Sequence, residues 1–218
     1  MHSIVLRGEP RPVRVGKILC LARNYVAHAE ELGNEVPAEP VLFSKPASSI
    51  VGSRGNVVIP TCSQDCHHEV ELAVLIGTVG KNVTSRRAME LVRGYAVAID
   101  MTLRDIQAQL KSKGYPWDLA KGFDTSCPLS EFVPAVAIHD PHQLKLGLEV
   151  NAVVRQSGNT ECMIHRIPDI LAFVSRVFTL EPGDIILTGT PAGVGRVVPG
   201  DHIRAWIEGV GTLEVQVQ

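Results

Sequence analysis

The sequence predicts a β-rich α+β fold, and three observations carry that prediction. Helical periodicity is confined to a few short segments, the apolar strand patterns do not alternate regularly with those segments as a doubly wound sheet requires, and the last third is strand-rich. Nineteen glycines and fourteen prolines promise many turns between these elements. A chain of 218 residues can bury a sizeable core, and with no internal repeat, low-complexity tract or linker it reads as one domain.

In chain order, residues 17–21 read as a short buried strand. Residues 24–33 follow as a short helix, with Asn24 at the N-cap and Gly33 just past the end. Strands are expected at 41–43 and 57–59, bounded by Pro and Gly, and at 69–76 and 95–99, with a helix at 85–92 between the last two. Thr102, with Asp105 three residues on, has the pattern of a capping box, opening a helix that Gly114 closes. Leu146, Leu148 and Val150 alternate with Gly147 and Glu149, as a half-buried strand should. Pro168 sits in the first turn of a helix whose apolar residues Ile170, Leu171, Val174, Val177 and Phe178 keep the 3.6-residue period. Three strands end the chain, with residues 208–211 as a hairpin loop.

Composition narrows the function. Twenty-one Lys and Arg against 23 Asp and Glu leave a net charge of −2 with no basic run, which gives no electrostatic footprint for nucleic acid. The longest apolar stretch, residues 72–76, is far below the roughly 20 residues that span a bilayer, so no membrane partner is expected. The N-terminus lacks a continuous apolar region and a small-residue cleavage site, so no secretory signal is expected. The five cysteines, at 20, 62, 66, 127 and 162, are odd in number and scattered, which suits a reducing compartment; cytoplasm is the expectation.

The sharpest chemical feature is His67-His-Glu69-Val-Glu71 running into an apolar strand. Period-two geometry puts Glu69 and Glu71 on one face and Val70, Leu72 and Val74 on the other. Two carboxylates on one strand face are solvated, paired or metal-bound; at the edge of a core an unpaired charge costs several kcal/mol. Asp100 ends another apolar strand directly before a helix start. Three carboxylates with further positions left to water or substrate describe a hard divalent ion, Mg²⁺ or Mn²⁺, more than Zn²⁺. A rival zinc set, Cys62, Cys66, His67 and His68, lacks the separated second ligand pair of structural zinc motifs, and adjacent strand histidines point to opposite faces.

Arg104 and Gln107 share a helix face one turn from Asp100, either as a carboxylate clamp or as a solvated surface. Lys121 follows a partly apolar stretch and reads as an ammonium near developing negative charge or as an exposed loop lysine. His28 and Glu31, three apart, are an oriented imidazole or a surface ion pair. The glycine-rich run 189–195 matches no phosphate-binding signature and makes either an anion-facing backbone or a tight turn. With no nucleophile elbow and no cysteine in a catalytic setting, covalent hydrolysis is disfavoured.

Six segments then assemble in order: Arg23-Asn-Tyr-Val-Ala-His28, Pro40-Val-Leu-Phe-Ser-Lys45-Pro46, His67-His-Glu-Val-Glu71, Asp100-Met-Thr-Leu-Arg-Asp105, Leu119-Ala-Lys121 and Leu187-Thr-Gly-Thr-Pro191. On these the chain resembles the fumarylacetoacetate hydrolase family, and within it the short acylpyruvate hydrolases, which include fumarylpyruvate hydrolase and oxaloacetate decarboxylases. The resemblance implies an N-terminal extension over 1–16, a single catalytic domain over 17–218, a mixed β-sandwich roll and a homodimer. It also implies Mg²⁺ or Mn²⁺ on Glu69, Glu71 and Asp100, and His28 with Glu31 as a water-activating dyad on a segment that orders over substrate. Lys121 would stabilise an enolate, with Arg104, Gln107 and Thr190 around the substrate carboxylate or its oxygens. Lys45, in the family's Phe-x-Lys-Pro, is grouped with the substrate-binding residues. The implied substrate is a small 2-oxo acid, an acylpyruvate such as fumarylpyruvate cleaved to pyruvate and a carboxylic acid. The alternatives are oxaloacetate decarboxylation or tautomerisation, isomerisation of a related oxo diacid, and a non-catalytic module that binds oxo acids.

Overall fold

Alternation along two neighbouring strands, Val70–Ile76 and Val92–Ile99, organises the molecule. Leu72, Val74, Val97 and Ile99 face one hydrophobic core, while Ala73, Leu75, Ala96 and Ala98 face a second. In the computed structural model, which describes residues 2–33 and 35–218, these strands lie at the centre of a mixed sheet. Its order is Val41–Lys45, Ile18–Ala22, Ile185–Leu187, Val70–Ile76, Val92–Ile99, Cys127–Leu129 and Ile50–Gly52, with Val133–Pro134 also pairing with Val92–Ile99. Two pairings are parallel, Ile185–Leu187 with Ile18–Ala22 and Cys127–Leu129 with Ile50–Gly52.

A second sheet, ordered Val153–Asn159, Lys145–Val150, His202–Ile207, Gly211–Val217 and Asn56–Val57, contributes Leu146, Leu148, Ile203, Ala205 and Leu213 to the first core. The Ile167–Val177 helix closes that core with Ile170, Leu171 and Val174. The result is the strand-rich α+β architecture expected from the sequence. The hairpin between the last two strands forms with Ile207 opposite Gly211. Near the N-terminus, Ser3–Ile4 pairs with Val13–Arg14, and Ile4, Leu6 and Val15 are buried in the second core, so this segment is folded onto the main body. No helix among the described residues is long and apolar enough to cross a membrane.

Several elements differ from expectation for local reasons. The helix expected at 85–92 is an α-helical turn, Ser85–Ala88, followed by a 3₁₀ turn, Met89–Leu91, because Val92 already belongs to the central sheet. The strand at 57–59 shortens to Asn56–Val57. Val177, the last residue of the helix, and Phe178, its extended C-cap, are 65% and 37% exposed and do not join the core.

Candidate active site

The strand Val70–Ile76 is buried along its whole length, and Glu71 keeps the alternation, sharing the face of Ala73 and Leu75. Glu71 lies opposite Ala98 in the neighbouring strand, two residues before Asp100, whose N–H donates to Glu69 O at 2.8 Å. Sheet register therefore brings three carboxylates together at one strand end. Glu69, Glu71 and Asp100 are all buried, and one oxygen from each lies within 4.8 Å of the others.

Cations crowd around two of the three. Lys121 Nζ donates to Glu69 Oε2 at 2.9 Å, Asp100 Oδ2 at 2.5 Å and Thr102 Oγ1 at 2.6 Å. Arg104 donates to Glu69 Oε1 and, through its other terminal nitrogen, to Gln107 Oε1 at 2.8 Å. Burial pulls Glu69 upward, but Lys121 and Arg104 outweigh it and hold the carboxyl well below its ordinary range. Burial likewise disfavours the Lys121 cation, yet Asp100 and Glu69 raise its pKa above the ordinary value.

Glu71 has no such partner. Among the described residues its one hydrogen bond comes from the Gly189 N–H at 2.5 Å, and no ion pair with it is seen there. Burial, then the neighbouring Asp100 and Glu69 carboxylates, push it well above the usual carboxylate range. An all-oxygen donor set that is short of positive charge at Glu71 fits a hard divalent cation. Among the described residues this is the one cluster of three or more His, Cys, Asp or Glu side chains placed to hold a metal. The rival zinc set does not assemble: Cys62 is exposed, His67 pairs with Asp65 at 2.9 Å, and His68 turns the other way to Gln156 at 3.0 Å.

The Glu69 and Glu71 side of the cluster opens into a cleft. His28, Arg104, Gln107, Lys121 and Thr190 line it with Glu69 and Glu71, against an apolar wall that includes Phe43 and Trp117. His28 comes from the short Val26–Glu31 helix and is buried; Glu31, one turn on, lies 3.7 Å from its Nδ1, which has no hydrogen-bond partner among the described residues. Burial lowers the His28 pKa, with Arg104 and Lys121 acting in the same direction against Glu69 and Glu31. Both Glu31 oxygens accept from the Gly193 N–H at 3.1 Å. The glycine-rich run thus supplies backbone donors to two acidic residues. Gly189 (φ +93°) and Gly193 (φ +95°) permit this approach: an added Cβ would lie 2.7 Å from Asn24 Cβ and 2.2 Å from Arg155 O, respectively.

Two capping expectations are corrected here. Asn24 does not cap the helix; Tyr25 occupies that position without a side-chain cap. Instead Asn24 Nδ2 donates to Thr188 O at 2.8 Å and His165 O at 3.0 Å, and its Oδ1 accepts from His165 N, tying the His28 segment to two distant loops. Thr102 does not open a helix either: Thr102–Leu103 is a strand paired with Cys66–His68, and the helix starts at Arg104. Asp105 pins residues 63–64 instead, accepting from Ser63 Oγ at 2.6 Å and Gln64 N at 2.9 Å.

Lys45 does not line the cleft. Its buried ammonium lies 2.7 Å from Asp100 Oδ1 and donates to the carbonyls of Met101, Lys121 and Ser126, so it supports the carboxylate cluster from behind. The cleft also contains Arg23, in a left-handed conformation (φ +58°), for which spacing gave no role.

Residues 17–218 match the family model described as fumarylacetoacetate (FAA) hydrolase C-terminal. The chain is 49% identical to bovine (Bos taurus) oxaloacetate tautomerase FAHD1, mitochondrial, over 92% of this chain and 91% of the relative. The solved fumarylpyruvate hydrolase of Pseudomonas aeruginosa, in complex with Mn²⁺ and pyruvate, superposes with a TM-score of 0.95 at 35% identity, covering 99% of this chain and 94% of that one. The solved 5-carboxymethyl-2-hydroxymuconate delta-isomerase of Mycobacterium smegmatis gives 0.84 at 41% identity, covering 94% and 80%.

Proposed function

The chain belongs to the fumarylacetoacetate hydrolase family, and on that premise we propose that it cleaves the carbon–carbon bond of an acylpyruvate, releasing pyruvate and a carboxylic acid, with Mg²⁺ or Mn²⁺ as cofactor. The observation that carries this reading is a buried imidazole, His28, with its pKa lowered, in the same cleft as Glu69, Glu71 and the buried Lys121 ammonium, with Asp100 directly behind them. When bound, the divalent ion on Glu69, Glu71 and Asp100 supplies Lewis acidity at the 2-oxo oxygen of the substrate.

The chain's own residues do the rest. With Nδ1 turned toward Glu31, His28 has Nε2 left to take a proton from water. The hydroxyl adds to the distal carbonyl carbon, the bond to the pyruvate methylene breaks, and its electron pair stays on pyruvate as an enolate. The proton held by His28 then returns that carbon to a methyl group, so one water is consumed. Lys121 supplies positive charge beside the developing enolate oxygen, and Arg104, Gln107 and Thr190 hold the substrate carboxylate.

A second reading is favoured by the 49% identity to a relative named oxaloacetate tautomerase. Here His28 moves a proton between C3 and the 2-oxo oxygen and no water is consumed. The partner is a small 2-oxo acid in either case, with a homodimer as the working assembly. Five free cysteines fit a reducing compartment, and cytoplasm is the compartment we propose. Product analysis with fumarylpyruvate and oxaloacetate tests the reading. Pyruvate plus fumarate supports hydrolysis, a mass-neutral change in oxaloacetate supports tautomerisation, and conversion of neither refutes both.

A further inference from the structure

Behind Thr190, Gln156 is buried and all of its amide bonding capacity is committed. Its Oε1 faces the Val70 N–H at 3.0 Å and His68 Nδ1 at 3.0 Å. A main-chain N–H can only donate, so this atom must be the oxygen. Its Nε2 donates to Pro191 O at 2.9 Å, which can only accept, and to Thr190 Oγ1 at 2.8 Å. With both amide protons used, Thr190 Oγ1 is the acceptor in that contact and its own proton goes elsewhere. Among the described residues nothing accepts that proton, and Thr190 lines the cleft beside Glu69, Glu71 and Arg104.

We infer that Gln156 is a positioning residue that turns the Thr190 hydroxyl into a hydrogen-bond donor aimed at an anionic ligand in the cleft. This rests on the reading of the cleft as a site for oxo acids. The same logic fixes the ring of His68: because Gln156 presents oxygen to it, Nδ1 carries a proton.

The test is a double-mutant cycle on oxalate binding by calorimetry, with the full chain and saturating Mg²⁺, plus the ¹⁵N spectrum of the His68 ring. Thr190→Val weakens oxalate binding about tenfold or more, the value of one hydrogen bond to a charged group. Gln156→Met weakens it several-fold alone and adds nothing in the Thr190→Val background, while Thr190→Ser stays near wild type and keeps its sensitivity to Gln156→Met. Gln156→Glu, which keeps an acceptor for the Val70 N–H, is the second variant should Gln156→Met fail to fold; it too weakens oxalate binding only when Thr190 is present. Equal losses from the Gln156 change with and without the Thr190 hydroxyl, or a His68 ring bare at Nδ1, overturn the inference. Failure of wild type to bind oxalate refutes the oxo-acid reading instead, and the His68 spectrum still decides the orientation of Gln156.

Discussion

Glu31 lies 3.7 Å from His28 Nδ1, beyond hydrogen-bond reach, and both of its oxygens accept the Gly193 N–H at 3.1 Å. In the proposed dyad on this helix, the glycine-rich run holds Glu31 away from His28. A small rotation of Glu31 toward Nδ1 completes it, and that movement is the one expected as substrate enters. His28→Ala therefore abolishes hydrolysis of fumarylpyruvate while Mg²⁺ affinity by calorimetry stays within about twofold. Glu31→Gln keeps the Gly193 contact but weakens the base, costing on the order of 10²-fold in kcat, the lower end for general-base catalysis. Unchanged turnover in His28→Ala removes the dyad from the mechanism.

The carboxylate cluster makes a second prediction. Asp100→Ala removes one carboxylate ligand and Glu71→Gln replaces another with a neutral amide, so divalent-ion binding and activity fall together. Retention of both refutes this ligand set. Glu71→Gln is the more telling variant, because it also relieves the crowding that pushes Glu71 upward and so leaves the metal-free fold as stable as wild type or more so.

Lys45 is predicted to matter for stability before catalysis. Lys45→Met preserves the side chain's length but leaves Asp100 and three carbonyls without their buried cation. Breaking a buried pair in this way costs ~3–5 kcal/mol. For a chain of this size that lowers Tm by about 10 °C, read by calorimetry. A change of less than about 2 °C would return Lys45 to a role in the cleft.

These outcomes separate what was legible in the sequence from what was not. Glu69, Glu71 and Asp100 were legible because strand alternation and a carboxylate at an apolar strand's end are local signals, and sheet register then joins them. Asn24 looked like a helix cap because its own neighbours allow it. Its actual partners, Thr188 and His165, are 164 and 141 residues away. For Lys45 the Phe-x-Lys-Pro motif marks the residue but not its partners, because the carbonyls around it come from segments 56 to 81 residues away. Gln156 had no local mark at all, since its meaning lies in four contacts contributed by two other strands and the run after Thr188.

The histidines set the pH dependence of stability. Burial lowers the pKa values of His28, His67, His68 and His142 in the folded protein. Their unfolded values lie near 6.5, so below that pH the unfolded chain binds more protons and folding loses stability as pH falls. Glu71 acts in the opposite sense, being raised in the folded state. Tm therefore falls between pH 7.5 and 5.5, and falls more steeply in Glu71→Gln, where the opposing group is gone. A flat or rising Tm in that variant contradicts these assignments.

The most direct measurement is a mass-resolved product assay of the Mg²⁺-loaded protein with fumarylpyruvate, acetylpyruvate and oxaloacetate, each repeated after EDTA. The proposed chemistry predicts conversion of at least one 2-oxo acid that EDTA abolishes and Mg²⁺ restores, with pyruvate and the matching acid from the acylpyruvates. Carbon dioxide or a mass-neutral change from oxaloacetate alone would move the chain to decarboxylation or tautomerisation at the same site. Conversion untouched by EDTA, or no conversion of any of the three, would contradict metal-assisted enolate chemistry at Glu69, Glu71 and Asp100.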